Sequence, residues 1–158
     1  NDKVEIFDRV KQEVEYYQKR NIEIKGLAFS IPGVIDTERG HMITGGALTD
    51  LDSFAFKDEL EKYIGLPVEL ENDVNCVALA EKWKGNAKNC NNFICMTIGT
   101  GVGGAIFINN KLIRGNNFSA GEFGFMLLDK RENYSERTLS MLGSVKGGLI
   151  QTYAKEKN

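Results

Sequence analysis

Apolar residues at Val4, Phe7, Val10, Val14 and Tyr17 recur at helical spacing against a polar opposite face, which predicts an amphipathic helix from Asp2 to about Arg20. An apolar run from Ile24 to Ile31 follows and stops at Pro32-Gly33. Its length and composition predict a short buried strand. Asp36 to Gly40 reads as a turn and His41 to Thr44 as a second short strand, broken by Gly45-Gly46. Asp52 or Ser53 is placed to cap a helix running to about Ile64, with Phe56, Leu60 and Tyr63 or Ile64 inward. Leu66 to Glu71 predicts a strand with Pro67 at its start, where a missing N–H is tolerated. Asn72 and Asp73 then precede a helix that carries Val77, Ala80 and Trp83 and ends near Gly85.

Lys84 to Asn92 is the most polar, turn-rich stretch and divides the chain into two expected lobes, residues 1–88 and 89–158. Phe93 to Ile98 predicts a third buried strand, and Gly99 to Gly104 a glycine-rich loop. Ala105 to Ile108, Asn109-Asn110 and Lys111 to Arg114 have the pattern of a β-hairpin: apolar run, two turn residues, second run. Gly121 to Leu128 reads as a strand with a Gly interruption, and Leu139, Leu142, Val145, Leu149 and Tyr153 mark a final helix from about Arg137. Strands alternating with helices predict an α/β architecture with some antiparallel pairing.

Of the 158 residues, 42% are hydrophobic and 27% charged, which excludes a disordered tail and a fibrous repeat. Twenty Lys and Arg against 22 Asp and Glu leave a net charge of -2, so no whole-molecule pull on nucleic acid or anionic lipid is expected. No apolar run approaches the roughly 18 residues of a membrane span. The first residues are charged and lack the apolar stretch of a signal peptide. Cys76, Cys90 and Cys95 have no paired spacing and read as reduced cytosolic thiols. Seventeen glycines against 2 prolines mean that some backbone must turn sharply or approach a ligand. The chain begins at Asn1 and is expected to be a piece of something longer.

Gly99-Thr100-Gly101-Val102-Gly103-Gly104 satisfies GxGxxG. A dinucleotide-binding turn would need a helix after the loop, and an acidic residue about 20 positions on. Here the loop runs into β-branched, hairpin-like sequence, so that reading is rejected. Two readings remain. Consecutive glycines can turn several N–H groups toward a phosphate, with the Thr100 hydroxyl as a further donor. Alternatively they supply positive φ at a tight hairpin.

Glu71-Asn72-Asp73 lies where a strand ends and a helix begins. Asn72 or Asp73 can serve as an N-cap. Asp73 can equally be a carboxylate base that takes the proton of a sugar hydroxyl during phosphoryl transfer. The helix dipole would keep it ionised. A cap uses only one carboxylate oxygen, so the two roles are compatible.

Together, IKGLAFSIPGVID, LPVELENDVNCVALAEKWKG, IGTGVGGAIF and SAGEFGFM occur in the order seen in the ROK family (repressor, open reading frame, kinase), which the chain resembles over roughly Ile24 to Tyr153. The closest likeness is to zinc-less sugar kinases of the Firmicute type, including β-glucoside kinases and glucokinases. The resemblance implies the actin-like ATPase fold, related to ribonuclease H, with parts of two lobes present. It implies Asp73 as the catalytic base, and Gly33, Asn72, Glu122 and Glu136 as sugar-binding residues. Gly99, Thr100 and Gly101 match the family's second phosphate loop. Short polar side chains suit a ring of sugar hydroxyls, which they can bind in pairs. For Glu122 a solvated surface charge, and for Glu136 a first-turn helix carboxylate, are the structural alternatives.

Many members have a His where this chain has Phe125, followed by a zinc-binding cysteine cluster; here no Cys follows Cys95. The resemblance therefore implies no zinc or other protein-bound metal, and an aromatic pocket wall at Phe125. His41 reads as a surface strand residue. The family's acidic first phosphate loop and its adenosine-binding remainder have no counterpart in this sequence, so the piece is expected to be inactive alone. The implied activity is that of a cytoplasmic, ATP- and Mg2+-dependent kinase phosphorylating a hexose, hexosamine or β-glucoside. A homodimer is the expected state, and Gly45 to Thr49 are expected to help choose the sugar. The alternative is the effector-binding part of a sugar-sensing ROK repressor, which would touch nucleic acid through an upstream DNA-binding domain. A structural α/β domain with glycine turns is the third reading.

Overall fold

The computed structural model describes residues 2–128 and 138–157. The chain forms two compact units, residues 1–73 and 74–158, each with its own core.

The first unit contains α1 (Asp2–Gln18), β1 (Leu27–Ile31), β2 (Val34–Asp36), β3 (His41–Thr44), a 3-10 turn at Thr49–Leu51, α2 (Phe56–Ile64) and β4 (Val68–Asn72). β1 and β4 pair in parallel, with Leu27 opposite Val68 and Ile31 opposite Asn72. Parallel strands cannot be joined by a tight turn, and the intervening hairpin, loop and helix supply the crossover. β2 and β3 form the antiparallel hairpin around the Asp36–Gly40 turn, with Asp36 Oδ1 accepting the Glu38 and Arg39 N–H groups. The core comprises Ile35, Met42, Leu51, Phe56, Leu60, Val68 and Leu70, onto which α1 lays Ile6, Phe7 and Val10. Phe7 meets Phe56 edge-on at 5.5 Å. Gly65, at φ 71°, ends α2 in the left-handed conformation that glycine adopts without strain.

Three expectations for this unit change. β1 alternates half-buried and exposed positions, so it is covered on one face and not enclosed. β2 occupies Val34–Asp36, where the sequence predicts no strand before the Asp36–Gly40 turn. Neither Asp52 nor Ser53 caps α2: Ala55 holds that position with no side-chain bond, and Ser53 sits at φ 53°. The Asp52 carboxylate instead accepts the Gly45 N–H at 2.6 Å.

The second unit takes up α3 (Asp73–Trp83) and an antiparallel meander, β5 (Phe93–Ile98), β6 (Val102–Ile108) and β7 (Lys111–Ile113). Asn109 and Asn110, at φ 52° and 64°, turn β6 into β7. Positive φ at both central residues is what a two-residue turn matched to strand twist requires, and Asn tolerates it. Phe93 stacks on Phe107 at 4.6 Å, and Ala78 of α3 is buried with Ala105 and Phe107. That packing assigns α3 to the second unit, so the units part between Asp73 and Val74, ahead of the polar stretch at 84–92.

The buried face of α3 carries Asn75 and Ala78, while Val77 and Trp83 are exposed, Trp83 by 76%. β5 is covered on one face only, leaving Ile94, Met96 and Ile98 exposed. Gly121 to Leu128 is not a strand: Phe123–Phe125 is a 3-10 turn. Gly121 takes φ 89°, and Gly124 lies so close to the Val102 carbonyl that no Cβ fits. The two glycines wrap this segment onto β6. The final helix is broken into α4 (Leu139–Gly143), π-helical turns at Val145–Ile150 and α5 (Gln151–Lys157). Ser144 interrupts it in extended conformation, and its hydroxyl accepts the Gly147 N–H. Of the expected apolar face, Leu139 is half-buried while Leu142, Val145, Leu149 and Tyr153 are exposed.

Candidate functional site

In parallel α/β arrangements, ligands gather beyond the carboxyl ends of the strands. The first unit presents two such ends side by side, because Ile31 of β1 is in register with Asn72 of β4. Past β1 come Pro32 and Gly33; past β4 comes Asp73, an exposed residue that opens α3. The Asn72 side chain bridges the two ends, its Nδ2 donating to the Gly33 carbonyl oxygen at 3.0 Å. The amide orientation follows, since only the NH2 side can face a carbonyl. The Asn72 backbone N–H is held by Glu71 Oε1 at 3.0 Å. Gly33 has φ 104°, and a Cβ there would collide with the Thr44 carbonyl oxygen. Gly33, Asn72 and Asp73 are thus brought together at one end of the β1–β4 pair.

In the second unit, Gly99, Thr100 and Gly101 connect β5 to β6, with Gly99 and Thr100 exposed. None of the three has positive φ, which removes the hairpin explanation for their glycines. Gly101 lies against Ser140, whose Oγ would stand 2.6 Å from an added Cβ. Among the described residues nothing lies within 4 Å of that position at Gly99, so neither conformation nor packing against them calls for glycine there. The loop is pinned by the carboxyl-terminal segment: Val102 N–H donates to Ser140 Oγ at 2.9 Å, and Val145 N–H to the Gly99 carbonyl at 2.9 Å. Within the loop, Gly99 N–H donates to the Gly101 carbonyl oxygen at 2.8 Å.

Glu122 is half-buried and stands just before the 3-10 turn at Phe123–Phe125. It follows Gly121, which packs against the Gly104 carbonyl of β6. Phe125, expected to wall a pocket, is 73% exposed. Glu136 lies outside the described residues. Among the described residues no three His, Cys, Asp or Glu side chains cluster as metal ligands. No described helix is long and apolar enough to cross a membrane. Burial pushes the Cys95 thiol above its ordinary range, with Glu81 adding repulsion of the thiolate.

Thr44, Asp52 and Ser140 are the supporting groups that sequence reasoning misses. Each acts on backbone that is remote along the chain, Ser140 across 38 residues, so no local pattern marks them.

The ROK family model matches residues 2–138. The β-glucoside kinase of Klebsiella pneumoniae is 47% identical over 134 residues, 85% of this chain and 45% of its own length. The xylose repressor of Staphylococcus xylosus is 34% identical over 137 residues, 80% of this chain and 35% of its own. Among solved structures, a ROK family glucokinase from Streptomyces griseus in complex with glucose and AMPPNP superposes with a TM-score of 0.79 at 29% identity, over 96% of this chain and 48% of that one. The chain spans less than half the length of these relatives, and its fold is the corresponding part of the actin-like ATPase fold. From the strand-end Asn72-Asp73 pair, the glycine loop after β5 and these likenesses together, the chain belongs to the ROK family.

Proposed function

We propose that this chain carries the acceptor side and one phosphate loop of an ATP-dependent sugar kinase. The acceptor is a hexose, hexosamine or β-glucoside with a free primary hydroxyl. The observation that carries the reading is the Asn72-Asp73 pair at the paired carboxyl ends of β1 and β4, with the Asn72 amide locked onto Gly33. An exposed carboxylate beside a fixed amide can take up the proton of a sugar hydroxyl while that sugar is held in register. Asp73 is assigned as the base. Asn72, Gly33, Glu122 and Glu136 are assigned to the sugar.

Gly99, Thr100 and Gly101 are assigned to phosphate oxygens. The openness around Gly99 supports this, because a phosphate needs close approach to backbone N–H groups. When bound, ATP supplies the phosphoryl group and Mg2+ neutralises its charge. The chain's own residues then do three things: Asp73 receives the proton, the sugar-binding side chains orient the attacking oxygen, and the Thr100 hydroxyl with the Gly101 N–H donates to the phosphate. The two units are assigned to the two lobes of the kinase, which is read as a cytoplasmic homodimer without zinc.

Asp73→Asn, made in the protein expressed from its complete gene, keeps the shape of the side chain and removes the base. Phosphorylation of the sugar should fall by about 10²–10⁴-fold, with sugar affinity by calorimetry retained. Undiminished turnover refutes the assignment.

The likeness to the xylose repressor supports a second reading, in which the same residues sense sugar for a DNA-binding partner domain. Higher identity to the β-glucoside kinase favours the first. Sugar-dependent DNA binding without sugar phosphorylation would reverse that order.

A further inference from the structure

The loop that follows β3 is closed on itself. Met42 and Phe54 exchange backbone hydrogen bonds at 2.8 and 3.1 Å, the Ser53 N–H reaches the Ile43 carbonyl at 3.3 Å, and the Leu48 N–H reaches the Gly45 carbonyl at 3.0 Å. Leu51, fully buried, plugs its centre. The side chain that ties the loop's near end to its far end is Asp52, whose Oδ1 accepts the Gly45 N–H at 2.6 Å. A carboxylate accepting a backbone N–H makes a short, strong bond.

Gly45 and its neighbours are in turn interlocked with Gly33. The Gly33 Cα faces the Thr44 carbonyl and the Gly45 backbone, and a Cβ on Gly46 would stand 3.1 Å from the Gly33 nitrogen. The ladder between β2 and β3 slips at Val34, and the Thr44 hydroxyl takes the Val34 N–H at 3.1 Å. The peptide at Gly33 is thereby fixed on both sides, and its carbonyl is the acceptor for the Asn72 amide. A line of contacts runs from Asp52 through Gly45 and Gly33 to Asn72, all within the first unit.

We propose that Asp52 is a positioning residue for acceptor binding, acting through the Gly45–Gly33 contact to hold the Asn72 side-chain amide. The inference rests on the kinase reading for its consequence and on hydrogen bonds alone for its geometry. Without the carboxylate, the Gly45 N–H loses its acceptor, and the 44–46 segment that packs on Gly33 loses that restraint. The Gly33 carbonyl then swings, and Asn72 loses its orientation next to Asp73.

The test uses the protein expressed from its complete gene, with Asp52→Ala and Asp52→Asn. Asn keeps an acceptor oxygen at the same reach. Two measurements are made: the 15N–1H2 signal of the Asn72 side chain, and steady-state kinetics with glucose and with a β-glucoside. In Asp52→Ala the Asn72 signal should move, and the KM for the sugar should rise about tenfold. The KM for ATP should hold, and kcat should stay within about threefold. Asp52→Asn should restore both readouts. Where Asp52→Ala does not fold, Asp52→Ser, too short to reach Gly45, takes its place. An unmoved Asn72 signal, or sugar and ATP KM values rising in proportion, overturns the inference. Absence of any sugar phosphorylation by the unmodified protein overturns the kinase reading and this role with it, while the Asn72 signal still decides the geometry.

Discussion

Gly33 stands two residues past β1 and Gly99 directly past β5, yet their surroundings have little in common. Gly33 sits at φ 104° with the Thr44 carbonyl where its Cβ would be, above a core that includes the fully buried Met42, Leu51 and Phe56. Gly99 has ordinary φ and open space around it, at the end of a strand whose outer face leaves Ile94, Met96 and Ile98 uncovered. The first glycine is there because the fold permits nothing else. The second is there although the fold would permit a side chain, which is the pattern expected where a ligand approaches the backbone.

Substitutions can break that contrast. The largest effect should come from Leu51→Ala, which opens a cavity under the 45–52 loop; urea unfolding should show a loss of about 3 kcal/mol. Gly33→Ala forces a Cβ into the Thr44 carbonyl at a φ that L residues avoid, and should cost on the order of 2 kcal/mol by the same measurement. Gly99→Ala should leave stability within about 0.5 kcal/mol, because among the described residues nothing stands in the way of its Cβ. It should nevertheless raise the KM for ATP in the protein expressed from its complete gene. A Gly99→Ala protein as destabilised as Gly33→Ala would erase the distinction between the two glycines.

The smallest effect is a difference in thiol chemistry within the second unit. Cys90 is exposed, whereas burial raises the Cys95 thiol pKa, so at a given pH less of Cys95 is thiolate than in an ordinary thiol. Labelling with a disulfide reagent between pH 7 and 9 should modify Cys90 first, with Cys95 catching up as the pH rises. Equal rates across that range would mean that the sheet does not cover Cys95 as described.

Legibility from sequence followed the range of the interaction. The Asn109-Asn110 turn was readable because two adjacent residues tolerate the positive φ that the hairpin needs. The amphipathic α1 was readable because its apolar stripe recurs at helical spacing, with Phe7, Val10 and Val14 turned inward and Val4 and Tyr17 at its ends exposed. The buried face of α3 was not: Val77, Ala80 and Trp83 form one apolar row, but the sheet covers the row through Asn75 and Ala78. Two rows competed on one helix, and packing against Ala105 and Phe107 decided between them. Asp52 was misread for a related reason. Its position before an apolar run suits a cap, and only the returning loop offered its carboxylate the Gly45 N–H instead. At the site, the resemblance carried Gly33, Asn72 and Asp73, while the contact of Asn72 with Gly33 needed the register of β1 against β4.

The helical stripe of α1, the strand-to-helix step at Asn72-Asp73 and the glycine-rich link after β5 were determined by the sequence itself, because each depends on neighbours a few residues apart. Which helix face is buried, which glycine is forced and which carboxylate holds a loop were decided only when distant segments met. Those outcomes turn on which donor, acceptor or apolar surface arrives from elsewhere in the chain, and a one-dimensional pattern does not contain that information.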